Sequence, residues 1–331
     1  MAGHSVTFGF GAPRRRPAGC HGGWTSWISG PHLGASIVKK HPNEPLARHC
    51  WNKLGGPAEC LVDVETEEEL HRVLSESHAQ QTPVSVLGLG SNLLVSDEGV
   101  PGTVIRLKGA FTEFSFEGHV LRAGAGADLR KIVSESVRRG MDGFWQLAGF
   151  PATIGGAIAM NAGGRWGEIS DTLLHCAGFH LDGTPFQQTA EECQFAYREA
   201  RLPGIVAQAT FSLQQGDPDE LRLQFKSVMR EKGAAQPLGA SNPSSGCAFR
   251  NPMTGGTRRS AGQLIDEAGG KGMAVGGASI SMDHANFIVT TPDATSKDVE
   301  TLMKQIQHLV AAHHKVDLHP EVVQWPSPKN H

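Results

Sequence analysis

The stretch VLGLGSNLL, residues 86–94, is an apolar strand that runs straight into a Gly-x-Gly-Ser-Asn turn. Gly88 and Gly90 let the backbone approach a ligand closely, and consecutive N–H groups, together with Ser91 and Asn92, can donate hydrogen bonds to phosphate oxygens. The third glycine of a dinucleotide fingerprint is missing and no Gly-Lys-Ser/Thr follows, so the turn matches neither that fingerprint nor a P-loop. By itself it is either an anion-binding turn or an ordinary β-turn.

A second glycine-rich stretch follows about sixty residues later. Residues 149–157 read GFPATIGGA and residues 160–164 read MNAGG. So little side-chain volume over fifteen positions leaves two interpretations open. The segment either packs backbone against backbone or lies along a flat ligand.

Composition limits the class of protein. The chain has 331 residues, 39% of them hydrophobic and 41 of them glycine, which is about 12% against an average of about 7%. This length predicts two or three globular domains. A net charge of -3 argues against nucleic acid as a partner, and no apolar run is long enough to span a membrane. Six cysteines without a CxxC pair indicate reduced thiols and a cytoplasmic protein.

Apolar periodicity divides the chain into three units. Helix start signals occur at three places, namely Thr66 with Glu69, Asp217 with Pro218, and Thr295 with Asp298. The predicted ranges are a disordered extension over 1–43, an α/β unit over 44–110, an α+β unit over 111–215, a third unit over 216–325, and a tail over 326–331. A transit peptide is the alternative interpretation of the extension.

The two glycine-rich stretches resemble the FAD-contacting loops of vanillyl-alcohol-oxidase or PCMH-type flavoproteins. More narrowly, residues 44–323 resemble the UDP-N-acetylenolpyruvoylglucosamine reductase (MurB) family. The motifs, in order, are LGGPA (54–58), YR (197–198), SGCAFRNP (245–252), AGQLI (261–265), GGKG (269–272), HANF (284–287) and EV (321–322). The resemblance implies an α+β fold, in which a two-subdomain FAD-binding PCMH-type unit precedes a C-terminal α+β substrate-binding domain.

The resemblance also implies bound FAD, NADPH as cosubstrate, and reduction of UDP-N-acetylglucosamine enolpyruvate to UDP-N-acetylmuramate in peptidoglycan precursor synthesis. The implied FAD-binding residues are Gly55, Gly56, Gly88, Gly90, Ser91, Asn92, Gly149, Pro151, Ala152, Thr153, Gly155, Gly156, Asn161, Ala162 and Gly163. The implied substrate-binding residues are Tyr197, Arg250, Asn251, Gln263 and Lys271. We expect a monomer. We also expect no metal, because the sixteen histidines do not cluster with the spacing of metal ligands.

The family's reaction requires an enolate-stabilising group and an acid. Hydride passes through flavin N5 to the methylene carbon of the enolpyruvyl group, so the neighbouring carbon becomes carbanion-like. The family places its active-site arginine at Arg198 and its glutamate at Glu321. It places the proton donor, often serine and in some members cysteine, at Cys247. A thiol is a stronger acid than an alcohol and is still mostly protonated at neutral pH.

Tyr197 is the single tyrosine of the chain. The first subtype of the family closes over its substrate with a tyrosine-bearing loop in the third domain, so this chain resembles the shorter second subtype. Two other functions remain open from the sequence. One is an FAD-dependent oxidase or dehydrogenase of a hydroxy acid or sugar, with Cys247 structural. The other is a non-catalytic module that binds a nucleotide sugar.

Overall fold

The computed structural model describes residues 38–237 and 243–326. The first unit has the elements β1 (Lys39–Pro45), β2 (Pro57–Val64), α1 (Glu67–Ala79), β3 (Val84–Val86), β4 (Leu93–Val95) and β5 (Val100–Leu107). Its sheet has the order β1-β2-β5-β3, with β2 and β3 parallel to β5. Helix α1 begins where expected, because the Thr66 hydroxyl accepts a hydrogen bond from the Glu69 N–H.

The second unit is built on a five-stranded antiparallel sheet of order β12-β11-β13-β7-β6. Its elements are β6 (Phe114–Glu117), β7 (Val120–Gly124), α2 (Leu129–Arg138), β8 (Met141–Asp142), α3 (Ile154–Ala159), β9 (Gly163–Gly164), β10 (Gly167–Glu168), β11 (Leu173–Phe179), β12 (Pro185–Thr189), β13 (Ile205–Ser212), β14 (Gln214–Gln215) and α4 (Pro218–Ala235). One hydrophobic core joins the first two units, since Ile105 of β5 and Phe211 of β13 belong to the same buried cluster.

The third unit has a four-stranded sheet of order β15-β20-β19-β18 covered by helices. Its elements are β15 (Ser244–Cys247), β16 (Met253–Thr254), β17 (Thr257–Arg258), α5 (Ala261–Glu267), β18 (Ala274–Val275), β19 (Ala278–Ile280), β20 (Phe287–Thr290), α6 (Ser296–His314) and β21 (Val323–Trp325). Thr295 and Asp298 form the expected capping box of α6. Strand β21 runs parallel to β4 and so returns the chain to the first unit.

Two predicted boundaries differ from the structure. Residues 39–43, assigned to the extension, form most of β1, which pairs with β2. This polar edge strand with two prolines carries no alternating pattern that could have identified it. Helix α4, assigned to the third unit, packs on the second, where Val228 is part of the shared core. Its cap and apolar stripe specify a helix but not the helix's partner. The predictions for residues 1–37 and 327–331 lie outside the described residues.

Within residues 38–237 and 243–326, no helix combines the length and the apolarity needed to cross a membrane.

Candidate functional site

The two glycine-rich loops lie against one another. A cleft of about 230 Å³ is lined by both, including Gly88 from the first loop and Thr153 and Gly156 from the second. A Cβ atom added at Gly88 would lie 2.9 Å from the Thr153 hydroxyl oxygen, so a larger residue does not fit there. The Ser91 hydroxyl donates a hydrogen bond to the Pro151 carbonyl. The prediction that the loops act together therefore has a direct structural basis.

The composition of the cleft suits a dinucleotide. Beyond the loops, its lining includes the apolar residues Val86, Leu202, Ile205 and Val206, the glycines Gly126 and Gly204, and the cation Lys108. Aliphatic walls can hold a flat aromatic ring, and backbone exposed at glycines can approach a pyrophosphate. Arg106 also lines the cleft, but two hydrogen bonds of 2.6 and 2.9 Å tie its guanidinium to Asp63. The residues present therefore fit the FAD that the resemblance implies.

Several predicted FAD-binding glycines have protein neighbours that already explain them. A Cβ at Gly56 would lie 2.2 Å from the Asp97 carbonyl oxygen, and one at Gly90 would lie 2.3 Å from the His49 carbonyl oxygen. Gly149 has φ +79° and packs against the Lys232 side chain. These glycines shape the loops through close contact with other parts of the chain. They are not among the residues that line the cleft.

A short antiparallel pairing brings the C-terminal glutamate to the cysteine. The Arg250 N–H donates to the His319 carbonyl and the Glu321 N–H donates to the Ala248 carbonyl, each over 2.8 Å. Cys247 therefore lies next to Glu321. The Asn92 side chain donates to the Glu321 carbonyl over 3.2 Å, which connects this pair to the first glycine loop.

Arg198 completes the cluster from the second unit. Its Nε donates to Glu321 Oε1 over 3.0 Å and its Nη2 donates to the Gly163 carbonyl over 2.7 Å. The buried Nη1 makes no hydrogen bond to any described residue and lies 4.0 Å from Glu168 Oε1. A buried donor of this kind can bind an anionic oxygen of a ligand. The structure thus brings Arg198, Glu321 and Cys247 together, as predicted from the resemblance.

The protonation of the cluster follows from burial. Burial raises the pKa of Glu321 above its ordinary value, although Arg198 opposes this shift. Burial, reinforced by the Glu321 charge, raises the pKa of the Cys247 thiol to about 12, while Arg198 and a hydrogen bond with Asn286 act in the opposite direction. The thiol is therefore protonated at neutral pH.

Three of the five predicted substrate-binding residues adjoin this cluster. Tyr197 precedes Arg198, and its hydroxyl accepts a hydrogen bond of 3.4 Å from the Asn251 N–H. Arg250 lies 3.7 Å from Glu199. The other two, Gln263 and Lys271, have ion or hydrogen-bond partners on α5, at Glu267 and Asp266 respectively. The structure does not place these two side chains in contact with Arg198, Cys247 or Glu321.

Two residues of the site were missed by the sequence analysis. Glu168 accepts a hydrogen bond of 2.7 Å from Asn161, whose side chain also donates to the Ala196 carbonyl. Lys232 is buried, donates to the Ala148 carbonyl over 2.6 Å and lies 3.3 Å above the Phe150 ring. The sequence does contain a signal for Lys232. This lysine follows Phe225 and Val228 at helical spacing, so it is predicted to lie on the apolar face of the helix. Glu168 has no such signal.

Comparisons with known proteins agree with this architecture. A family model described as "FAD binding domain" matches residues 58–184, and one described as "UDP-N-acetylenolpyruvoylglucosamine reductase, C-terminal domain" matches residues 236–325. The chain is 39% identical over 285 residues to a UDP-N-acetylenolpyruvoylglucosamine reductase 2 of Symbiobacterium thermophilum, covering 85% of this chain and 91% of the relative. It is 43% identical over 275 residues to the corresponding reductase of Thermus thermophilus, covering 82% and 94%.

A solved structure shows the same arrangement. The crystal structure of UDP-N-acetylenolpyruvylglucosamine reductase from Thermus caldophilus superposes with a TM-score of 0.76 at 40% sequence identity, covering 88% of this chain and 99% of that one. The similarity extends through both matched domains.

Proposed function

The chain belongs to the UDP-N-acetylenolpyruvoylglucosamine reductase family, and we propose that Arg198, Glu321 and Cys247 carry the substrate half of its reaction. The enzyme reduces UDP-N-acetylglucosamine enolpyruvate to UDP-N-acetylmuramate with NADPH as reductant, in peptidoglycan precursor synthesis. The predicted α+β fold, an FAD-binding unit followed by a C-terminal domain, is confirmed. The oxidase and the non-catalytic module are set aside, because the relatives match along most of their length.

When bound, FAD would supply the hydride-transfer chemistry between NADPH and the methylene carbon of the enolpyruvyl group. Gly88, Thr153, Gly155 and Gly156 would hold it, since all four line the cleft between the loops. Some of the other predicted FAD-binding residues instead act on the shape of those loops. Gly55, Gly56, Gly90 and Gly149 pack against protein, and Ser91 holds the backbone at Pro151. Asn92, Ala152, Asn161, Ala162 and Gly163 are kept as proposed contacts.

Arg198 holds the substrate carboxylate and the charge that develops next to it. Its Nη1 is the donor that makes no hydrogen bond to the described part of the chain, and a planar guanidinium matches the geometry of a carboxylate. Glu321 orients the guanidinium by accepting the hydrogen bond from Nε. Because both side chains are about 15% exposed, water screens this interaction little.

Cys247 supplies the proton. Hydride adds to the methylene carbon, and the thiol proton moves to the neighbouring carbon, leaving a thiolate that solvent reprotonates. The raised pKa of Cys247 keeps the thiol protonated before the step. The nearby Arg198 charge favours the thiolate as it forms, which offsets part of the cost of burial.

The observation that carries this proposal is a guanidinium held by two hydrogen bonds, whose buried Nη1 makes none to the described residues. We expect Arg198→Lys to leave NADPH-driven bleaching of the flavin unchanged and to slow recovery on addition of the enolpyruvyl substrate about 10- to 100-fold, because an ammonium cannot reproduce the planar fork. Anaerobic stopped-flow absorption near 450 nm measures both steps. Arg201→Lys is the matched control, since Arg201 lies in the same segment and bonds only to Gln194 among its described side-chain partners. Recovery at the parent rate in Arg198→Lys would remove Arg198 from the site.

We further propose that the enzyme works in the cytoplasm. We also propose that it is a monomer, because one chain supplies all three residues of the cluster. Its product is a cell-wall precursor, so its loss should affect cell shape, the cell cycle and division. Tyr197, Arg250 and Asn251 are proposed to bind the nucleotide-sugar part of the substrate. Gln263 and Lys271 have weaker support, because their polar partners lie on α5.

A further inference from the structure

A short exposed hairpin adjoins the catalytic cluster. Strands β16 and β17 pair as Met253↔Arg258 and Thr254↔Thr257, and a Gly-Gly turn joins them. Both glycines have positive φ, +58° and +78°, as a two-residue hairpin turn requires. A Cβ added at either glycine would meet no atom of residues 38–237 or 243–326 within 4 Å, so the tip of the hairpin is not packed against those residues. The base of the hairpin, in contrast, is attached to the site.

That attachment is made by Arg258. Its guanidinium carbon lies 3.7 Å from the centroid of the Tyr197 ring, and its Nη1 donates a hydrogen bond of 3.1 Å to the Asn251 carbonyl. The Asn251 N–H donates to the Tyr197 hydroxyl. Arg258, Tyr197 and Asn251 thus form a closed set of contacts that joins the second unit to the third.

The same tyrosine ring contacts Arg198. The Arg198 guanidinium carbon lies 4.9 Å from the Tyr197 ring centroid, within the range of a cation–π contact. Arg198 itself has a positive φ of +60°, a conformation that a non-glycine residue keeps only when its surroundings hold it. The ring is one of those surroundings. A group that fixes the ring therefore helps to fix the arginine.

We propose that Arg258 is a positioning residue for the substrate half of the reaction, acting through Tyr197 on the orientation of Arg198. This inference rests on the proposed function. Arg258 does not contact the FAD cleft, and its side chain lies on an exposed hairpin, so its loss leaves the core intact. It holds the ring to the third unit, and the ring limits the directions in which the Arg198 guanidinium can move.

The test compares Arg258→Ala with Arg259→Ala in the full-length flavin-bound protein. Arg259 is a matched control because it is adjacent, carries the same charge and pairs instead with Glu267. For Arg258→Ala we expect flavin content and the NADPH step to match the parent. Reoxidation by saturating enolpyruvyl substrate should be about tenfold slower, the size expected for one lost cation–ring contact. Arg258→Lys should recover most of the rate, since an ammonium can still lie over the ring. Arg259→Ala should reoxidise at the parent rate.

A double-mutant comparison shows whether Arg258 acts through the ring. In a Tyr197→Leu background, Arg258→Ala should add little further loss, because the contact is already absent. Equal reoxidation rates in Arg258→Ala and Arg259→Ala would overturn the inference. So would an effect of Arg258→Ala on the half-saturating substrate concentration alone. A loss of flavin content in Arg258→Ala, together with equal slowing of flavin reduction and reoxidation, would also overturn it. If the parent itself does not reoxidise with substrate, the proposed function fails and this inference fails with it.

Discussion

Arg198 is a non-glycine residue that has a left-handed backbone conformation. A left-handed backbone at a non-glycine residue costs on the order of 1–2 kcal/mol, and here φ is +60°. Hydrogen bonds to Glu321 and to the Gly163 carbonyl hold the side chain in place. The strained backbone therefore lowers the stability of the folded protein, and it orients the guanidinium before the substrate binds. This is the expected property of a group that stabilises developing charge.

Glu321 should give the substrate half of the reaction an acid limb. Its carboxylate must be ionised to hold the Arg198 Nε–H firmly, and burial raises its pKa above the ordinary value of 4.5. We expect the rate of flavin reoxidation to fall as pH decreases through a value above 4.5. In Glu321→Gln the limb should be absent and the rate lower at all pH values. A limb that persists in Glu321→Gln would assign it to another group.

The residue-scale predictions had different origins. Spacing and composition alone left Arg198 and Glu321 as ordinary charged residues, because 123 positions separate them and no local pattern connects them. The family motifs predict both as site residues, and also Cys247. Lys232 could have been found from its helical face, whereas Glu168 could not, since its role depends on where Asn161 and Arg198 lie in the folded chain.

At the scale of elements, local chemistry predicted the helices well. The caps at Thr66, Asp217 and Thr295 all accept the backbone hydrogen bonds expected of them. The strands of two residues, such as β9, β10, β16 and β17, were beyond prediction, because two residues carry no periodicity. The partner of α4 was also predicted wrongly. An apolar stripe shows that a helix must be covered, but not by which sheet.

The burial of Lys232 on α4 predicts a pH-dependent stability. Burial, with Arg198 adding to it, lowers the pKa of this lysine to about 8, from 10.5. A base whose pKa falls on folding disfavours the folded state while it is charged, so this cost is present below about pH 8 and is relieved as pH rises toward 10.5. We expect the melting temperature of the parent, relative to that of Lys232→Met, to rise between pH 8 and pH 10.5.

Lys226→Met serves as the control, because Lys226 lies on the exposed face of the same helix. The difference in melting temperature between parent and Lys226→Met should stay flat over the same interval. A flat difference for Lys232→Met as well would mean that burying its ammonium has no cost, and would contradict burial as the cause of the lowered pKa.

At the scale of the molecule, the site exists only where the three units meet. Arg198 comes from the second unit, Cys247 from the sheet of the third, and Glu321 from the segment that returns to β4 of the first. The first glycine loop contacts both the second loop and Glu321. The cleft between the glycine loops and the cluster of Arg198, Glu321 and Cys247 are thus connected by residues 88–92. No sequence pattern within one unit could have shown this convergence.

The central claim is that Cys247 delivers the proton in this cluster, and flavin reoxidation in Cys247 variants tests it most directly. After anaerobic reduction by NADPH, Cys247→Ala should recover its absorption near 450 nm with the enolpyruvyl substrate at least about a hundredfold more slowly than the parent, while the reduction step is unchanged. Cys247→Ser, which keeps a proton donor of the same shape, should retain measurable recovery. Recovery of Cys247→Ala at the parent rate would contradict the account.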